Sequence, residues 1–111
     1  MNIFLTYNEK FNGIFQSQVI EVLKNYKIFG VDFKLICFLS FRGFFSERKK
    51  IKSQYRLAFV FPMFPKLKNW KIHTKLVALL LKDADLVICR GIFATNLALR
   101  TNSSVRIIYD G

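Results

Sequence analysis

The chain has 111 residues, enough for one domain with a modest core. Hydrophobic residues make up 52% of it and aromatic residues 16%, which excludes a disordered chain. Lys and Arg number 18 against 7 Asp and Glu, for a formal charge of +11. Such an excess favours anionic partners: phosphorylated ligands, anionic lipid surfaces or nucleic acid. An A/T-rich coding sequence would also enrich Lys, although it would not explain why acidic residues are scarce.

Apolar segments alternate between strand and helix patterns along the whole chain. Asn2–Tyr7 predicts a first strand, and the helix after it runs from about Ile14 to Tyr26 with Asn12 as its N-cap. The predicted inward face of this helix carries Phe15, Val19, Val22, Leu23 and Tyr26. Phe33 to Leu39 is nearly all apolar, which is typical of a central parallel strand covered on both faces. The later elements are a basic helix ending near Lys52, a strand at Leu57–Phe61, a helix at Asn69–Leu81, a strand at Leu86–Cys89, a helix at Ile92–Arg100 and a strand at Val105–Tyr109. Pro62 and Pro65 are expected to bracket a loop in which Met63 and Phe64 are exposed. The predicted inward face of the helix at Asn69–Leu81 carries Trp70, Ile72, Leu76, Val77, Leu79 and Leu80.

This alternation predicts an α/β, Rossmann-like domain. Right-handed crossovers would give about five parallel strands in the order 3-2-1-4-5, with helices on both faces of the sheet. Ligands of such folds bind beyond the carboxyl ends of the strands, near the switch point between strands one and four. The residues that follow the strands, and so the candidates, are Asn8, Glu9, Asn12, Gly13, Ser40, Arg42, Arg90, Gly91, Asp110 and Gly111.

The loop after the first strand is a candidate substrate-binding element. Gly13 would allow backbone amides to approach a polar or anionic ligand, and Ser17 lies in the first helical turn behind it. The alternative is a glycine that only lets the chain enter the helix. The chain has neither Gly-x-Gly-x-x-Gly nor the Walker pattern, so a dinucleotide or nucleoside triphosphate is not expected in this domain.

Arg90 and Gly91 end the fourth predicted strand at the expected rim. A guanidinium there suits a phosphate or a carboxylate of a substrate. Equally, Arg90 could pair with Asp110 and hold the rim together. Asp110 is the one candidate catalytic residue, as a general base or as a partner for a sugar hydroxyl. It could instead cap a helix that follows.

The chain offers little for metal or nucleophilic chemistry. Its single histidine, His73, lies mid-helix and is expected to be an ordinary, partly exposed helix residue. Cys37 and Cys89 lie in separate apolar strands and are expected to be buried free thiols. One histidine and two separated cysteines do not make a zinc site. The prediction is therefore no metal and no cofactor.

The segment from Phe41 to Lys52 combines aromatic and basic side chains. Such a combination at a sheet rim favours an anionic membrane surface, with Phe64 and Trp70 adding apolar contacts. Alternatively, Phe44 and Phe45 pack inward and the lysines are merely solvated. Single-stranded nucleic acid is not expected, because no RNA- or DNA-binding motif accompanies these residues. The predicted membrane contacts are Phe41, Arg42, Phe44, Arg48, Lys49 and Lys50.

The longest purely apolar run, Leu76 to Leu81, is too short to span a bilayer, and the first strand starts directly after Met1 without a secretion signal. We therefore expect a cytoplasmic protein, peripheral to the inner face of the plasma membrane.

Four segments together resemble a known family. They are NGIFQSQVI (12–20), MFPKL (63–67), ICRGIFATNLA (88–98) and IYDG (108–111). They look like the N-terminal domain of bacterial family 4 glycosyltransferases. The resemblance implies one half of a two-domain B-type fold, which binds a lipid-linked or polysaccharide acceptor at the cytoplasmic membrane face. A second domain would bind the nucleotide-sugar donor, and transfer would be retaining and metal-free.

The resemblance also has departures. The family's glycine loop maps onto Asn12 and Gly13, where this chain has one glycine rather than two. Where many members carry a histidine at a strand end, this chain has Arg90 and Asp110. No donor domain is present among residues 1–111, so the expectation is an acceptor-binding half that is inactive alone. The alternative is a non-catalytic Rossmann-like module that binds a phosphorylated ligand or a protein partner.

Overall fold

The computed structural model describes residues 1–9, 12–63, 70–101 and 105–110, with only the backbone of residues 70 and 71. Its strands form one parallel five-stranded sheet in the order β3-β2-β1-β4-β5. This confirms the predicted Rossmann-like α/β fold and strand order. The strands are β1 (Asn2–Tyr7), β2 (Phe33–Ser40), β3 (Ala58–Met63), β4 (Leu86–Arg90) and β5 (Arg106–Asp110).

Helices cover both faces of the sheet. The connections from β1 to β2 and from β2 to β3 cross one face, and the connections from β3 to β4 and from β4 to β5 cross the other. The helices are α1 (Gly13–Phe15), a π-helical turn (Gln16–Ile20), α2 (Glu21–Ile28), α3 (Phe44–Gln54), α4 (Trp70–Leu81) and α5 (Ile92–Leu99). Phe4 and Leu35 face the core under α1–α3, whereas Leu5 and Ile36 face the core under α4 and α5. Successive strand residues thus enter opposite cores, which explains why β1 and β2 are continuously apolar.

The π-helical turn corrects the predicted inward face of the first helix. Val22 and Tyr26 were expected to face the core, but Val22 is only partly buried and Tyr26 is exposed, whereas Ile20 is fully buried. A π turn holds an extra residue, so the side chains after it point in directions that a regular 3.6-residue period does not predict.

The predicted inward face of α4 was also partly wrong. Ile72 and Leu79 were expected in the core but are exposed, and the residues spaced by four, His73, Val77 and Leu81, are buried. His73, expected to be partly exposed, is only 2% accessible. Packing against the sheet determines which face of this helix is buried. The sequence alone does not, because leucines lie around most of the helix circumference and form several apolar stripes.

Strand β3 extends through Pro62 and Met63, where the sequence had predicted a loop. Proline is compatible with this position because β3 is an edge strand. Met63 is half-buried and packs against the core under α4 and α5 rather than lying exposed. Cys37 and Cys89 are buried free thiols, as predicted, and burial raises the pKa of each to about 12.

Candidate functional site

The carboxyl ends of β1 and β2 open into a cleft of about 300 Å³. The chain turns sharply here: Asn8 has φ of 60° and donates its backbone N–H to the Phe38 carbonyl at 2.8 Å. Gly43 has φ of 76°, a left-handed conformation that glycine adopts without strain. The cleft is lined by Asn8, Glu9, Ser40, Arg42, Gly43 and Glu47.

A second polar cluster lies at the ends of β4 and β5. The Arg90 guanidinium donates a hydrogen bond to the Gln18 side-chain oxygen on the π-helical turn. Its Nη1 atom lies 3.7 Å from Asp110 Oδ2. The Arg90 side chain is mostly buried and Asp110 is about half-exposed. The ion pair with Asp110, which the sequence left open as the alternative role of Arg90, is therefore present. Gln18 was not among the predicted residues, because its position relative to β4 depends on how the helix packs over the sheet.

Glu9 connects the two polar clusters. It lines the first cleft, and a Cβ on Gly91 would lie 3.6 Å from its Oε1 atom. Gly91 has φ of 87°, and its N–H donates to the Asp110 carbonyl at 2.9 Å. The predicted rim residues Glu9, Arg90, Gly91 and Asp110 are thus contiguous, at the carboxyl ends of β1, β4 and β5, where doubly wound sheets bind ligands.

The loop before α1 serves the helix itself. Asn12 Oδ1 accepts from the Phe15 backbone N–H at 3.0 Å, which confirms the predicted N-cap. A Cβ on Gly13 would meet no atom within 4 Å among the described residues, and its φ needs no glycine. Ser17 Oγ donates to the Ile14 carbonyl at 3.2 Å. A direct substrate role for Asn12, Gly13 and Ser17 stays a prediction.

The predicted membrane residues do not form one surface. Phe44 is buried in the core, so it is not a surface contact, whereas Phe41 and Phe45 are 58% and 80% exposed. Arg42 lines the polar cleft. Arg48, Lys49 and Lys50 are exposed, as is Lys52, which the prediction omitted. Phe64 lies outside the described residues, as does the Trp70 side chain.

Exposed α3 residues spaced by three and four form a basic aromatic flank, namely Phe45, Arg48, Lys49 and Lys52. Lys50 is rotated by about 100° from Lys49 and lies off this flank.

Across the sheet, His73 is enclosed by aromatic rings. Its Nδ1 lies 3.1 Å from the Tyr7 hydroxyl, and its ring centroid lies 5.2 Å from that of Phe38. Burial lowers the pKa of His73 and raises that of Tyr7. Its position beneath β1 and β2 gives His73 a role in packing.

The lowered pKa of His73 predicts acid destabilisation. In the unfolded chain His73 binds a proton at the ordinary histidine pKa, about 6.5. In the folded chain it binds that proton only at a lower pH. The free energy of unfolding should therefore fall as pH drops through that value, until the lower folded-state pKa is reached. Urea unfolding at several pH values from neutral to mildly acidic would measure this loss. His73→Leu should make the dependence shallower, and an unchanged slope in that variant would contradict the assignment.

Among the described residues, no group of three or more His, Cys, Asp or Glu side chains could hold a metal ion. What the rim offers instead is one mostly buried guanidinium, carboxylates from Glu9, Glu47 and Asp110, and amide groups from Asn8 and Gln18. Such a mixture of acceptors and donors suits a ligand with several hydroxyl groups and an anionic group.

Comparison with known proteins supports the fold. No protein-family model and no curated protein matches the chain. Among solved structures, the chain is similar to a glycosyltransferase from Rickettsia africae, with a TM-score of 0.63 and 20% sequence identity. The match covers 97% of this chain and 28% of the Rickettsia chain. The chain therefore has a glycosyltransferase-like Rossmann fold.

Proposed function

We propose that this chain is the acceptor-binding domain of a family 4, B-type glycosyltransferase. The observation that supports the proposal best is the contiguous polar rim at the sheet switch point, in which Glu9, Arg90, Gly91 and Asp110 meet. A domain of the same fold occurs within a longer glycosyltransferase. The nucleotide-sugar donor would bind to a second domain, facing this rim.

The rim residues have distinct roles in this proposal. Arg90 binds the anionic group of a lipid-linked saccharide acceptor, since a guanidinium matches phosphate oxygens bidentately. Gln18 and Asp110 hold the guanidinium in place. Glu9 faces both the cleft and Gly91 and accepts hydrogen bonds from sugar hydroxyls. Asp110 is positioned beside Arg90 to accept a proton from the attacking hydroxyl.

The basic aromatic flank of α3 would bring the domain to an anionic membrane. Phe41 precedes this flank and is also exposed, so the surface combines apolar insertion with positive charge. Within the described part of the chain, no helix has the length and apolar character needed to cross a membrane. In this proposal the domain is peripheral to the inner membrane face, and a lipid-linked acceptor reaches the adjacent polar cleft from that surface.

Binding of a short-chain polyprenyl pyrophosphoryl sugar to the 111-residue chain tests the proposal. Calorimetric titration should detect binding, and Arg90→Gln should weaken it by about 10- to 100-fold, because a hydrogen bond to a charged group contributes roughly 1.5–3 kcal/mol. Arg56→Gln is the matched control. Arg56 is exposed and precedes β3, at the opposite end of the sheet.

Equal affinity of Arg90→Gln and the unsubstituted chain would contradict the proposed site. Inorganic pyrophosphate is the second probe. If it binds as tightly as the complete pyrophosphoryl sugar, the saccharide contributes nothing, and the alternative of a binding module for phosphorylated ligands replaces the acceptor role. Stronger binding of the complete molecule supports the acceptor role.

A further inference from the structure

The turn that leads out of β1 toward the cleft has an unusual backbone conformation. Among the described residues, Asn8 is the one residue other than glycine with a positive φ, 60°. Asparagine adopts this left-handed conformation more readily than most residues, but the conformation is sparsely populated and persists where surrounding contacts impose it. Glu9 follows directly and faces both the cleft and Gly91. The contacts that hold Asn8 therefore also set the position of the Glu9 carboxylate.

These contacts come from β2 and from α4. The Asn8 N–H donates to the Phe38 carbonyl at 2.8 Å. Tyr7, the last residue of β1, lies opposite Phe38 in the sheet, and their ring centroids are 5.5 Å apart. The Tyr7 hydroxyl lies 3.1 Å from His73 Nδ1, and the His73 ring also packs against the Phe38 ring. One side chain of α4 thus connects the carboxyl ends of β1 and β2, the two strands whose loops line the cleft.

The connection lies on the side of the sheet away from α3. The Tyr7 and Phe38 side chains belong to the core under α4 and α5, whereas Gly43 and Glu47 line the cleft from the start of α3. The turn is therefore held without filling the space that a ligand would occupy.

Packing alone does not account for a histidine at this position. An apolar side chain would fill the same space without the cost of burying polar nitrogen atoms, which must be hydrogen-bonded. What His73 adds is a directional bond to Tyr7. Either neutral tautomer makes this bond, because the proton comes from the Tyr7 hydroxyl in one tautomer and from Nδ1 in the other.

We propose that His73 is a positioning residue, which fixes the Asn8 turn through its hydrogen bond to Tyr7 and so directs Glu9 toward the sugar hydroxyls of the acceptor. The identity of the ligand rests on the proposed function. The positioning of the turn is a property of the chain without ligand, so the two can be tested separately.

Hydrogen exchange of the Asn8 amide, measured by NMR, tests the positioning without a ligand. Exchange requires the bond from this N–H to the Phe38 carbonyl to open. Tyr7→Phe removes the hydroxyl and keeps the ring. Since a neutral hydrogen bond contributes a net factor of about five to an equilibrium constant, Asn8 exchange should become about fivefold faster. The reference amide is that of Leu35, which donates to the Leu57 carbonyl at 2.9 Å toward the other end of β2 and should be unchanged.

Two further variants serve as controls. Tyr55→Phe removes a hydroxyl that donates to a β2 carbonyl at the amino end of the sheet, and it should leave Asn8 exchange unchanged. His73→Phe keeps an aromatic ring and removes the nitrogen, so it should speed Asn8 exchange as Tyr7→Phe does. Combining it with Tyr7→Phe should add nothing, because both substitutions remove the same bond. Additive effects, or an acceleration no larger at Asn8 than at the reference amide, would overturn the positioning role.

Binding measurements connect the turn to the acceptor. In Tyr7→Phe, affinity for the short-chain polyprenyl pyrophosphoryl sugar should fall by up to about fivefold, because the Glu9 carboxylate is less well pre-organised. Affinity for inorganic pyrophosphate, which depends on Arg90, should not change. An equal effect on the two ligands overturns the link between the turn and the saccharide. If the unsubstituted chain binds neither ligand, the proposed function fails, while the exchange rates of Asn8 still decide the positioning role of His73.

Discussion

Reversing three charges on the basic aromatic flank is expected to abolish most binding to anionic vesicles. In the variant Arg48→Glu/Lys49→Glu/Lys52→Glu, three exposed cations on one side of α3 are lost. Each basic residue near an anionic surface contributes about 1 kcal/mol, so partitioning should fall by about 100-fold or more. Sedimentation with phosphatidylglycerol–phosphatidylcholine vesicles measures the partition coefficient, and added salt should weaken binding by the unsubstituted chain.

The matched control changes net charge equally on the opposite face of the sheet. Lys75→Glu/Lys82→Glu/Arg100→Glu alters three exposed positions on or just after α4 and α5. If binding depends on the flank, this variant should retain most of its affinity. Equal losses in the two variants would show that only net charge matters. No binding by the unsubstituted chain would contradict the membrane proposal itself.

Phe38→Ala is expected to lower the free energy of unfolding by about 3–5 kcal/mol, the usual cost of truncating a buried phenylalanine. Phe38 is completely buried in the central part of β2. Its ring lies between those of Tyr7 and Phe61, with centroids at 5.5 and 5.6 Å, and also contacts His73. Removing it leaves a cavity that strands on both sides of β2 cannot easily fill. Urea unfolding followed by circular dichroism measures the loss.

Phe45→Ala provides the comparison for this prediction. Phe45 is 80% exposed, so its truncation should change stability by less than about 1 kcal/mol. Failure of Phe38→Ala to fold would agree with a loss that exceeds the total stability. A loss no larger than that of Phe45→Ala would contradict the stabilising role of the buried Phe38 ring.

Much of the candidate site was predictable, because residues that follow parallel strands must meet at one edge of the sheet. That rule selected Glu9, Arg90, Gly91 and Asp110, and the structure brings them together. Gln18 could not be selected in this way. It contacts Arg90 from a π-helical turn, and sequence periodicity does not specify how far such a turn rotates a side chain.

The same distinction applies to the surfaces. A run of aromatic and basic residues indicated an exposed segment, but only packing separated Phe44, which enters the core, from Phe45, which faces solvent. The positions of adjacent residues on a helix differ by about 100°, so the choice depends on which side of α3 meets the sheet. Packing also placed Arg42 in the polar cleft rather than on the flank.

The sequence by itself determined the α/β class, the parallel strand order and the edge where polar residues collect. Hydrophobic patterning and the handedness of crossovers leave few other arrangements. Tertiary structure decided which face of each helix is buried and that His73 belongs to the core. These features depend on contacts between segments that are distant in the sequence. An apolar helix is compatible with several orientations, and packing against the neighbouring elements fixes one of them.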